Sequence, residues 1–154
     1  MPMVDLETVF ERLSAFPIIV FEQGDVVLAE GSRTGRLLFL IQGAVDVVKE
    51  EWQIARVVEP GAVFGDMAAL RGQPHSADVI AVQPSSFFVI DNAATFLRNE
   101  PLIALYVAMI QSGRLDAVNR HLIDARRQLA ASGQQNSAFS AVLDRIGTAL
   151  HARA

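Results

Sequence analysis

Between Phe16 and Asp91 the apolar residues come in runs of only three to five, each shut off by a turn residue. Pieces that short cannot make helical faces, which need about ten residues, and they are rich in Val, Ile and Phe, which suit a pleated, half-buried surface. The runs cover residues 18–21, 26–28, 37–41, 44–48, 54–58, 78–82 and 86–90. Gly24-Asp25, Gly31-Ser32, Gly35, Gln42-Gly43, Pro60-Gly61 and Pro84-Ser85 punctuate them. Such turn residues at this spacing predict seven or eight short strands. The fold class that follows is mainly β with flanking helices, its strands closed into a β-roll or jelly roll that leaves no long edge free.

Helical patterning appears only outside that region. Leu6, Val9, Phe10 and Leu13 repeat at i, i+3, i+4 and i+7 behind Asp5, which is placed to cap them, so residues 1–15 are an amphipathic helix. Residues 92–131 are helical by composition, with a break at Glu100-Pro101, since Pro is accepted only in a first turn. Beyond Pro101, a seam of Ala108, Gln111, Leu115, Val118, Leu122, Ala125 and Leu129 alternates steps of three and four. A rod of about 30 Å with such a seam seeks a partner rod, which predicts a homodimer through residues 108–129. The competing expectation is a helix folded back on its own roll, and before Gly113 that is favoured, because Leu102, Ile103, Leu105, Tyr106, Val107, Met109 and Ile110 cover most of the circumference. A polar linker at 132–137 leads to a last amphipathic helix, 138–154, with Phe139, Val142, Leu143, Ile146 and Leu150 on one face and Arg153 near its end.

Residues 60–81 are the stretch built to hold something. Pro60-Gly61 makes a turn, Val63-Phe64 runs into Gly65, and Met67, Ala68, Ala69 and Leu70 form a short helix ended by Gly72 and Pro74. A helix opening just after a glycine turns free N–H groups toward an anion. Asp66 suits a helix N-cap as well as a ligand contact.

The run Phe64-Gly65-Asp66-Met67-Ala68-Ala69-Leu70-Arg71-Gly72-Gln73-Pro74-His75-Ser76-Ala77 resembles, without a gap, the phosphate-binding cassette of cyclic-nucleotide-binding domains. The order of turns before it, Gly24-Asp25, Glu30-Gly31, Gln42-Gly43 and Pro60-Gly61, fits the same family, and together they cover about half the chain. The resemblance implies a ligand site of Phe64, Gly65, Asp66, Met67, His75, Ser76 and Ala77, with Arg71 as a weaker candidate. It implies no catalytic residue, no cofactor beyond a cyclic nucleotide ligand, cyclic AMP or cyclic GMP, and a long helix that pairs in parallel and reaches the base. Gapless counting puts the base-contacting pair on Val118 and Asn119, of which only Asn119 can hydrogen-bond.

Two positions depart from the family. Its ribose-holding Glu is Asp66 here, one methylene short, which withdraws the carboxylate by about 1.5 Å. Its phosphate-pairing Arg is His75, which has no bidentate fork and is mostly neutral above a pKa of about 6.5. A charge-assisted hydrogen bond contributes about 1.5–3 kcal/mol, so its loss weakens a cyclic nucleotide by about one to two orders of magnitude. Binding weakened or altered, and a vestigial pocket on a homodimeric interaction scaffold, are the two expectations that follow.

Composition narrows the remaining classes. A net charge of −4 gives no footprint for a nucleic-acid backbone, and one tail helix cannot form a helix-turn-helix, so direct nucleic-acid binding is not expected. No cysteine is present, which excludes disulfides, thiolate zinc sites and iron–sulfur clusters. His75, His121 and His151 are too scattered to form a metal site, and no nucleophile–base pair or carboxylate dyad suggests an enzyme. The apolar run 101–110 is far short of the roughly 20 residues of a membrane span, and no leader pattern opens the chain, so a cytoplasmic protein is expected. With 51% hydrophobic residues, some apolar surface is expected to lie between subunits.

Overall fold

The computed structural model describes residues 2–133 and 137–152. Helix α1 (Leu6–Leu13) starts where the periodicity places it: the Asp5 carboxylate accepts the Thr8 N–H at 2.8 Å, and that bond lowers the Asp5 pKa. Val9 and Leu13 are its buried residues.

Eight strands follow, β1 (Ile18–Phe21), β2 (Val26–Leu28), β3 (Leu37–Gln42), β4 (Val45–Lys49), β5 (Trp52–Val57), β6 (Val63–Phe64), β7 (Asp78–Ala81) and β8 (Ser85–Ile90). They form two four-stranded antiparallel sheets, in the orders β1-β8-β3-β6 and β2-β7-β4-β5. The inner face joins Leu28, Leu38, Leu40, Val45, Phe64, Val79 and Phe87 in one core. Strand β8 is buried at every position, which explains its unbroken run of Phe87-Phe88-Val89-Ile90. Phe87 faces the roll interior, whereas Phe88 meets Phe10 of α1 edge-on at 5.5 Å.

Helices α3 (Ala93–Asn99) and α4 (Pro101–Ala131) are separated at Glu100, at the break that Pro101 predicts. Ile103, Tyr106 and Val107 are buried, and the Tyr106 hydroxyl donates to the Gly61 carbonyl at 2.9 Å. The early turns of α4 thus fold against the roll, the alternative favoured for this half.

The chain divides into two compact units, 1–108 and 109–154. In the second, helix α5 (Ser137–Leu150) lies against the later turns of α4: Gly147 meets Leu122, and Arg126 pairs with Asp144. The expected apolar face of the tail helix is only partly covered. Leu143 is buried and Leu150 half-buried, whereas Phe139, Val142 and Ile146 are exposed. In the seam of α4, Leu122, Ala125 and Leu129 are half-buried while Leu115 and Val118 remain exposed. The central residues of the 132–137 linker, 134–136, and Arg153 lie outside the described residues. Among the described residues no helix is long and apolar enough to cross a membrane.

Candidate functional site

Strand β6 delivers the chain into Gly65, whose φ of 85° lies in the left-handed region. A Cβ there would overlap the Arg36 carbonyl oxygen, so the position is fixed by close backbone approach as well as by the bend. Helix α2 (Asp66–Arg71) opens after it and closes on Gly72, φ 63°, whose N–H bonds the Ala68 carbonyl.

The N-cap assignment of Asp66 is corrected here. Gly65 is the cap, without a side-chain bond, and Asp66 is the first helical residue, 3% exposed. A capping side chain sits on the non-helical residue just before the helix, and that place is taken by Gly65, so Asp66 already has helical backbone. Phe64 points into the roll core and meets Phe87 edge-on at 6.0 Å, so its part is to anchor the cassette from below.

His75 and Ser76 engage different surroundings. The His75 backbone is pinned on both sides, its N–H donating to the Ser32 carbonyl and its carbonyl accepting from Gly31. Its ring is 4% exposed, and Nε2 lies 2.7 Å from the Thr34 hydroxyl oxygen. Burial lowers the His75 pKa, so the ring is neutral at pH 7. Ser76 instead has its carbonyl bonded by the Lys49 ammonium at 2.7 Å and its hydroxyl 3.9 Å from the Met67 sulfur. Met67 is exposed, and Ala77 is half-buried.

A cavity of about 230 Å³ opens beside α2, lined by Arg33, Thr34, Arg36, Gly65, His75 and Asn92 together with Ala68, Ala69 and Gly72. Of the sequence-derived site residues only Gly65 and His75 border it; Phe64, Asp66, Met67, Ser76 and Ala77 do not. Arg36 is tied to Asp91, Nε to Oδ1 at 3.0 Å. Arg33 and Arg36, charges of the loop before β3, thus line a concavity. Arg71 is exposed and does not line the cavity. Asn119 is half-buried on α4, in the second unit.

Sequence reasoning missed Lys49 and Thr34. The signal for Lys49 was alternation: Val45, Val47 and Lys49 share one face of β4, and Val45 and Val47 belong to the core. Thr34 carried no such signal, because only the path of the loop brings it to His75. Trp52 opens β5 and is 77% exposed, and the tip of the hairpin is Glu50-Glu51. Among the described residues no three His, Cys, Asp or Glu side chains gather as a metal group would.

The family model described as cyclic nucleotide-binding domain matches residues 18–99. A protein of Rhodopseudomonas palustris named as a candidate potassium channel protein is 28% identical over 138 residues, which are 86% of this chain and 33% of that protein. The chain thus spans about a third of that relative's length. Among solved structures, the catabolite activator protein of Thermus thermophilus superposes with a TM-score of 0.65 at 22% identity, over 86% of this chain and 70% of that one. A cyclic nucleotide-binding domain from Methylobacillus flagellatus gives 0.65 at 25% identity, over 77% and 72%.

Proposed function

The chain belongs to the cyclic nucleotide-binding domain family, and we propose that it is a non-catalytic sensor or regulatory module that takes a cyclic nucleotide, cyclic AMP or cyclic GMP, weakly. The observation that carries this reading is the family match across roll and cassette, with the two departures falling on the ribose and phosphate partners, Asp66 and His75. In this reading Gly65 and the first N–H groups of α2 face the phosphate, with Ser76 and Ala77 beside it. Asp66 reaches the ribose only at a cost, since its carboxylate is short and buried. His75 adds little at neutral pH, because it is uncharged and engaged with Thr34. The module is cytoplasmic in this reading and makes no direct contact with nucleic acid, in keeping with its net charge of −4.

Calorimetric titration with cyclic AMP and cyclic GMP at pH 5.5 and pH 8 tests it. Weak binding, stronger at pH 5.5, is expected, and no heat of binding at either pH removes the ligand reading. The gain in affinity belongs below pH 6.5, because burial lowers the pKa of His75.

A second reading, a vestigial pocket on a homodimeric interaction scaffold, is favoured by one observation. Leu115 and Val118 of the α4 seam are exposed although apolar. Sedimentation of the chain and of the Leu115→Glu, Val118→Glu double variant separates the two states: a dimer that becomes monomeric supports pairing through residues 108–129, and a monomeric starting protein rules it out.

A further inference from the structure

We propose that Lys49, outside the cassette, supplies the positive charge that holds an anionic ligand against it, the phosphodiester of a cyclic nucleotide; this rests on the ligand-binding reading above. The position that would carry the cation within the cassette is His75, and its ring is turned into the Thr34 loop and buried there. Arg71, the other cation of the cassette, is exposed and does not line the cavity, so the Ser76 side takes its cation from another element.

Lys49 is placed to be that cation. Alternation along β4 puts it on the same face as Val45 and Val47, both part of the roll core, and the register pairs Val47 with Val79 of β7. Lys49 is the last residue of β4, so its long side chain reaches from that inner face to the cassette, where Nζ lies 2.7 Å from the Ser76 carbonyl. The Ser76 hydroxyl lies 3.9 Å from the Met67 sulfur, a weak acceptor, so a donor and a cation stand together at the cassette's end. The acids close by do not hold Lys49 fast. Glu30 is its ion-pair partner at 4.0 Å, with side chains 47% and 33% exposed, and the Glu30 carboxylate also accepts the Glu50 N–H. A pair that long and that exposed is easily exchanged for a ligand oxygen, because solvent screens most of its attraction. Arg36, by contrast, is tied to Asp91 on the side of α2 that faces the cavity.

The test is titration of the full chain, Lys49→Gln and Lys49→Arg with cyclic AMP and cyclic GMP at low and high salt, with the melting temperature of each protein. Lys49→Gln is expected to bind about tenfold more weakly and to lose most of the salt dependence, while Lys49→Arg keeps both. Equal affinity for Lys49→Gln with a lowered melting temperature overturns the inference, since the lysine then only ties hairpin to cassette. If the wild type is silent but His75→Arg binds, the pocket is competent and Lys49 does not serve it, which overturns the inference alone. Silence from both proteins overturns the inference and the ligand-binding reading together.

Discussion

His75 shows how one side chain can be decided by its neighbours. The ring is buried against Thr34, so its folded pKa lies below the unfolded value of about 6.5. The unfolded chain then binds more protons in the interval between the two values, and stability is lost as pH falls from about 6.5 toward the folded pKa. The melting temperature of the wild type should drop across this interval, and that of His75→Asn should fall less steeply; parallel curves would count against the assignment. Gly65 is equally constrained. A Cβ would overlap the Arg36 carbonyl, and φ is 85°, so Gly65→Ala should cost about 2–4 kcal/mol in denaturant unfolding. The neighbour that fills the space a Cβ would take is the protein's own backbone.

At the level of elements, the β4–β5 hairpin carries a cost of its own. Its two-residue turn, Glu50-Glu51, has φ of 49° and 70°, left-handed at both positions, where Asn-Gly is favoured. Glu51→Gly should therefore stabilise the protein by about 1 kcal/mol, read from urea melts, because the strain of a side chain in that region is removed. The strands themselves were legible from turn residues and β-branched runs, and the break at Pro101 from its missing N–H. Strand β6, only two residues long, had too little pattern to read as a strand, and exists because Leu38 and Phe39 offer it partners. The cassette helix was legible in outline, but its cap was not, since the backbone angle of Gly65 is set by what lies beneath it.

Across the whole molecule, the roll and the helical hairpin are separate compact units and are expected to respond separately. Leu143 is the buried apolar residue of α5, and Leu143→Ala should cost about 2–4 kcal/mol within its unit. Hydrogen exchange should accelerate in residues 109–133 and 137–152 and remain unchanged in β3 and β8; acceleration everywhere would refute the division. Amino-acid order alone determined the strand-rich class, the turns, the helix start at Asp5 and the likeness of the cassette, because each rests on local periodicity or on a residue's own backbone preference. Tertiary structure decided the rest: that His75 turns to Thr34, that Lys49 reaches Ser76, and that α5 covers Leu122. Those contacts join residues 41, 27 and 25 positions apart in the chain, and no local pattern encodes a distance that only the folding of the sheets and helices creates.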